Sequence, residues 1–277
     1  VQPLATTVCN NTIATFSVTA TGAVSYQWQQ NTGSGFTNLA NGGIYSGVTT
    51  ATLTINPATT AMNTYQYRCI LNASCGGSTT SNAVVLTVTP NVAASVSIAA
   101  SPSSTICAGT SVTYTATATN GGTTPSYQWK VNGVNVGTNS PTYTTTTLAN
   151  GNTVTCVMTS NAACVTGSPA TSNAITMTVN PNLPVSVSIA ASATIICAGT
   201  SVTFTATPTN GGTTPSYQWK VNGVNTGTNS PTFTTTTLTN GNTVTCVLTS
   251  NAACATGNPA TSNTVTMTVN PNLPVSV

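Results

Sequence analysis

Four residues recur along this chain at one spacing, and that recurrence limits the fold more than any other feature. Cys107, Trp129, Cys156 and Cys164 return as Cys197, Trp219, Cys246 and Cys254, each 90 residues later. Cys9, Trp28, Cys69 and Cys75 stand in the same order in a more diverged first copy. The segment 125–133, Pro-Ser-Tyr-Gln-Trp-Lys-Val-Asn-Gly, is repeated unchanged at 215–223. A period near 90 exceeds the roughly 20–45 residues of a solenoid repeat and fits one β-sandwich of about 100. Joints at Thr89-Pro90-Asn91 and at Asn180-Pro181-Asn182-Leu183-Pro184 divide the chain into units 1–90, 91–181 and 182–271. Residues 270–277 duplicate 180–187, so 272–277 is expected to open a further repeat or to supply an exchanged strand.

Within a unit the pattern is that of strands. In the second, Val112, Tyr114, Ala116 and Ala118 alternate with Thr, the period-2 signature of a half-buried strand. Val92–Ile98 reads as a first strand, and Ser126–Val131 puts Tyr127, Trp129 and Val131 on one face. Val131-Asn132-Gly133-Val134 is a hairpin signal, since Asn-Gly supplies the positive φ pair of a type I′ turn. Strands follow over Thr142–Leu148, Thr153–Thr159 and Ala174–Val179, about seven in all. Thr, Val, Tyr and Trp favour strands, and no helical periodicity survives. The expected class is all-β: three tandem sandwich domains in an elongated array.

Composition removes whole classes of function. The 277 residues include no Asp, no Glu and no His, and the only charged side chains are Arg68, Lys130 and Lys220. General acid–base catalysis draws mainly on the missing types, and a Ser nucleophile would lack its activating base. Hard cations need carboxylates, and catalytic zinc needs His or carboxylate beside Cys. The chain is therefore expected to be no enzyme, with no catalytic residues, no cofactor and no metal. Three scattered cations form no basic patch for nucleic acid, and no apolar run reaches the roughly 18 residues of a membrane span.

The units resemble the immunoglobulin fold. Gly109-x-x-Val112-x-Tyr114 is similar to the entry of strand B, Trp129 to the core Trp of strand C, and Asn150–Cys156 to the corner leading into strand F. In the first unit Asn63 and Tyr67-Arg68-Cys69 resemble the family's Asp…Tyr-x-Cys, with Asn where the family has Asp. The resemblance implies that Trp28, Trp129, Trp219 and Tyr67 are core residues, Tyr67 being the tyrosine corner. More narrowly, Ile106-Cys-Ala-Gly-Thr-Ser-Val112, Tyr127-Gln-Trp129 and Thr155–Cys164 resemble the Ig-like repeats of large secreted surface proteins of Bacteroidota. That likeness implies export and an extracellular or cell-surface residence.

Nine cysteines, three per unit, imply an oxidising compartment. The usual Ig bridge joins strands B and F, but Ala116 and Ala206 stand where its first cysteine would be, leaving Cys69, Cys156 and Cys246 as buried thiols. The disulfide candidates are Cys9, Cys75, Cys107, Cys164, Cys197 and Cys254. Two schemes are open. Within a domain, Cys107 pairs with Cys164 or Cys156. Between domains, Cys9 pairs with Cys164 and Cys107 with Cys254, which leaves Cys75 and Cys197 to bond neighbouring subunits. The second avoids spanning nine strand residues at about 3.3 Å each with a bond that needs Cα atoms within about 7 Å.

The remaining motifs have plain readings. Thr144–Thr147 and Thr234–Thr237 are solvated strand faces, and Lys130 and Lys220 are outward, solubilising charges. The expected function is a structural subunit or segment of an extracellular bacterial fibre, sheath or stalk, self-associating head to tail or laterally. The alternatives are an adhesin stalk whose tip lies elsewhere and a carbohydrate-binding module, so cell surfaces and carbohydrate are the other candidate partners.

Overall fold

The period-2 runs of Val, Tyr and Phe against Thr become short strands throughout. A computed structural model describes residues 1–273; the positions 274–277 of the expected further repeat at 272–277 lie outside the described residues. Among the described residues one 3-10 turn, Thr60–Met62, is the sole helical element, and the class is all-β. The chain gathers into two compact units. One holds Val1–Ala100, Tyr114–Tyr143 and Thr153–Ile175; the other holds Ser101–Thr113, Thr144–Asn152 and the chain from Thr176 on.

The first unit contains a complete sandwich built from the first repeat. One sheet runs Thr6–Cys9, Val84–Thr89, Gln66–Ala73, Ala23–Asn31, Phe36–Asn38, and the other Thr12–Ser17, Thr52–Ala58, Tyr45–Ser46. Alternation decides which side chains meet: Ala14 and Phe16 point inward from a strand whose intervening residues are exposed. Phe16 lies 6.4 Å from Trp28 and 5.0 Å from Tyr67, ring centre to ring centre. The Trp28 indole N–H, buried with its ring, donates to the Thr50 carbonyl at 2.9 Å, which offsets its loss of water. The same unit holds the middle repeat's hairpin, where Ser126–Val131 pairs with Val134–Val136. Its turn residues Asn132 and Gly133 have φ of 51° and 80°, as a type I′ turn requires.

The second unit contains the third repeat's sandwich. Val224–Thr226, Ser216–Val221, Thr243–Thr249 and Ala260–Thr261 form one sheet; Ser186–Ala191, Val202–Thr209 and Thr232–Thr235 form the other. Val202, Phe204 and Ala206 are buried, and Phe204 stacks on Phe233 at 6.1 Å and meets Trp219 at 6.2 Å. The first strand then changes sheets: Ile195–Cys197 runs parallel to the last strand, Thr268–Asn270. Thr6–Cys9 and Val84–Thr89, and Thr105–Cys107 and Thr178–Asn180, repeat that parallel pair. Two packed layers, a buried Trp on a central strand and this connectivity make the chain a tandem of Ig-like β-sandwiches.

Three local expectations differ from the structure. The strand over Val92–Ile98 is broken, since Val92–Ala93 pairs with Val165–Thr166 before Ser95–Ser101 begins. Ala174–Val179 forms as Ile175–Thr176 and Thr178–Asn180, because Met177 between them is fully buried and its N–H bonds the Asn152 carbonyl. Thr142–Leu148 stops at Thr145.

Candidate functional site

The features that depart most from an ordinary sandwich are the cysteines and the joints they occupy. Cys9 ends the strand Thr6–Cys9, and the next N–H, of Asn10, donates to the Thr89 carbonyl at 2.9 Å. Asn91, in the linker, turns its amide back onto the Asn10 carbonyl at 3.2 Å. The incoming loop is held as firmly. Asn161 Oδ1 accepts the Thr124 N–H at 3.1 Å, and the Cys164 carbonyl accepts the Val92 N–H at 3.0 Å. Asn120 Nδ2 donates to Ala93 O at 2.7 Å, closing the linker against the turn at Gly121-Gly122. Cys9 and Cys164 are bonded, with Cα atoms 5.2 Å apart, and both belong to the first unit.

The second joint repeats the first, inside the second unit. Ala108 N–H donates to Asn180 O at 2.9 Å, and Asn182 Nδ2 to Ala108 O at 3.3 Å. Leu183 N–H donates to Cys254 O at 2.9 Å, and Asn210 Nδ2 to Pro184 O at 2.7 Å. Cys107 and Cys254 are bonded, with Cα atoms 5.4 Å apart. Each disulfide thus joins one repeat to the next, and neither candidate partner of Cys107 within its own repeat, Cys156 or Cys164, is used. A third copy of the Cys9-side geometry surrounds Cys197: Ala198 N–H donates to Asn270 O at 3.0 Å and Asn272 Nδ2 to Ala198 O at 3.2 Å. Cys197 and Cys75 are exposed and unbonded.

The other three cysteines lie in the cores. Cys69, Cys156 and Cys246 are fully buried, and each stands directly across the ladder from the Trp of its repeat, at Trp28, Trp129 and Trp219. Burial pushes their thiols up to about 11, so they remain protonated and unreactive in the fold. Tyr67 is buried too, but its hydroxyl lies 3.4 Å from the Tyr45 hydroxyl, which in turn donates to Gln30 Oε1. The corner is therefore closed side chain to side chain rather than onto backbone, and burial, with that contact, holds the Tyr67 phenol well above its ordinary range.

Charge is sparse. The Arg68 guanidinium sits 3.9 Å over the Phe36 ring and its Nε donates to Gln29 Oε1 at 2.8 Å, so it is engaged within its own sheet. Among the described residues no three His, Cys, Asp or Glu side chains come together as a metal site. Among the described residues no helix is long and apolar enough to cross a membrane. The hollow bounded by Ala20–Ala23, Leu71–Ala73 and Gly77–Thr79 presents no aromatic ring.

Sequence reading singled out the cysteines but not the asparagines that build the joints. Asn91, Asn182 and Asn272 each follow a Pro at the repeat boundary, a recurrence visible in the sequence once sought. Asn63, Asn150 and Asn240 accept the N–H of Val88, Val179 and Val269 through Oδ1 at 2.9–3.1 Å, which is why Asn serves where the family has Asp.

No family model matches the chain, and no curated protein matches it. Among solved structures, the I-band fragment I67–I69 from titin aligns over 98% of this chain and 97% of its own, with 13% identity and a TM-score of 0.40. The N-terminal four Ig domains of Dscam1 isoform 6.9 align over 97% of this chain and 72% of theirs, with 16% identity and a TM-score of 0.30. At these values the overlays carry no inference, and the fold assignment rests on strand order and register.

Proposed function

We propose that the chain is a structural segment of an extracellular bacterial fibre, sheath or stalk of the Bacteroidota type, with Ig-like domains at 1–90, 91–181 and 182–271. The observation that carries this reading is the pair of disulfides that join successive repeats, Cys9–Cys164 and Cys107–Cys254. A covalent bond across each joint lets an array of repeats carry tension past the linker. Disulfides persist outside the cell, not in a reducing cytosol. The near-absence of charge supports the same role, because with a net charge of +3 there is little repulsion between neighbouring copies and little that pH or salt can alter.

The carbohydrate-module reading draws less support. Such sites are lined by exposed rings, whereas Trp28, Trp129 and Trp219 are fully buried. Electron microscopy of the native material is the test: ordered filaments or sheaths support the fibre, while isolated single molecules tipped by another domain would favour the adhesin stalk.

A further inference from the structure

We propose that Cys197 of one chain forms a disulfide with Cys75 of a second copy, so that copies are joined head to tail by the bond that already joins the repeats within a chain. The inference rests on the fibre reading and names its partner and linkage.

Two joints are closed by disulfides. In both, the first cysteine ends the strand lying parallel to the last strand of its own repeat: Cys9 beside Thr89 and Cys107 beside Asn180. In both, the following residue donates its N–H to that neighbouring carbonyl and has its own carbonyl held by the linker Asn, Asn91 or Asn182. Cys197 ends the strand Ile195–Cys197 beside Asn270, and the Ala198 and Asn272 hydrogen bonds are all in place. The surroundings that accompany a bonded cysteine twice are complete around Cys197 without its bond. They are therefore a property of the repeat, prepared before a partner thiol arrives, and the missing group is a thiol on another Ig-like unit.

The second cysteine of each joint also has a fixed address. Cys164 and Cys254 lie in the loop after the strands Thr153–Thr159 and Thr243–Thr249, ahead of Ala170–Thr171 and Ala260–Thr261. Cys75 occupies that loop in the first repeat, between Gln66–Ala73 and Ser78–Thr80. It is exposed, and no cysteine of this chain bonds it. The three other free thiols are buried in the cores and out of reach. Cys254 is not open to Cys197, since it is bonded to Cys107. Within residues 1–277 two exposed thiols of opposite joint type therefore remain, and a second copy of this segment supplies the complement of both.

The step balances with a small-molecule disulfide as oxidant. One thiolate attacks it, releasing one small thiol and forming a mixed disulfide; the thiolate of the partner chain displaces the second small thiol. Two protein thiols and one small disulfide yield one protein disulfide and two small thiols.

The test uses the full chain, oxidised glutathione and two serine variants, Cys75→Ser and Cys197→Ser, both at exposed positions where substitution costs little stability. Wild type should give a ladder of dimers, trimers and larger species on a non-reducing gel, collapsing to monomer with dithiothreitol. Each variant alone should stay monomeric; mixed in equal amounts they should form dimers and nothing larger, with a peptide linking Cys75 to Cys197 by mass. Dimers of Cys75→Ser alone would mean that Cys197 bonds its own kind, and would overturn the proposal. So would wild type that stays monomeric, or an intrachain Cys75–Cys197 peptide. Filaments that persist in both variants would leave the fibre standing and remove only the link.

Discussion

Opening the two disulfides should lengthen the chain that tension can draw out, by an amount that their positions set. Cys9–Cys164 spans 155 residues and Cys107–Cys254 spans 147. Cys107 lies inside the first span and Cys164 inside the second, so the two loops interlock. With both closed, the shortest covalent route from residue 1 to residue 277 runs to Cys9, crosses to Cys164, returns to Cys107, crosses to Cys254 and leaves. Those legs are 8, 57 and 23 residue steps by position in the sequence. At about 3.5 Å per residue the route reaches roughly 310 Å, against roughly 970 Å for the open chain. Losing one bond leaves the other as a shortcut: Cys9→Ser should extend to roughly 450 Å and Cys254→Ser to roughly 420 Å.

The effects are thus far from additive, and that is the diagnostic. Force spectroscopy with handles at residues 1 and 277, fitted for contour length, reads all four states: oxidised, each single variant, and reduced. Pairing within one repeat would give a different result, since a Cys107–Cys164 bond bypasses only the 57 residues between them and leaves roughly 770 Å. An oxidised contour near that value, or single variants that already reach full length, would refute the interlocked scheme. The same topology bears on function. Between the two bonds tension is shared by three segments, 9–107, 107–164 and 164–254, so no single sandwich that unfolds can release its whole length.

Three further outcomes follow from particular residues. A Cβ on Gly122, at φ +83°, would lie 2.1 Å from Asn161 Oδ1 and 2.6 Å from the Ala162 nitrogen, whereas Gly133, at φ +80°, faces open space. Gly133→Ala should cost about 1–2 kcal/mol from backbone conformation alone. Gly122→Ala should cost about 2 kcal/mol more and leave part of Cys9 and Cys164 reduced, by denaturant titration and thiol counting; equal costs would show that the loop carrying Cys164 yields freely. Asn63→Ala strands the Val88 N–H, bonded at 2.9 Å in the fold, and should cost about 1–3 kcal/mol, while Asn63→Asp keeps the acceptor and should lie within about 0.5 kcal/mol of wild type at pH 7. With no Asp, Glu or His to titrate, the melting temperature should be flat between pH 4 and 7. Cys69, Cys156 and Cys246 titrate near 11 in the fold against 9.0 ordinarily, so unfolding exposes thiols that ionise more readily. Their contribution is complete below about pH 9 and lost as pH rises through about 11. Calorimetry that shows a slope between pH 4 and 7 would contradict the first part.

The all-β class, the repeat and the core were legible in the residues because they depend on local periodicity. Val202, Phe204 and Ala206 alternate with Thr and Trp219 sits mid-strand, so a two-residue period alone selects the buried face. Asn132-Gly133 marks its hairpin because only a few residues tolerate positive φ at both turn positions. Strand boundaries were less legible. Met177 breaks its strand, since its side chain is buried and its N–H is taken by the Asn152 carbonyl, which sequence spacing does not reveal.

Sequence narrowed the cysteine pairing to two schemes, the observed one among them, but did not choose between them. Six candidates at repeated positions allowed bonds within a repeat or between repeats, because spacing along the chain says little about distance through space. Tertiary structure decided it by bringing Cα atoms to 5.2 and 5.4 Å across the joints. What sets those distances is the parallel pairing that places Cys9 and Cys107 at the end of their repeats, the linker asparagines that tie the linker to the residue after each, and the linker N–H groups that hold the carbonyls of Cys164 and Cys254. A disulfide tests a few ångströms of backbone placement, and that placement is the product of the whole sandwich.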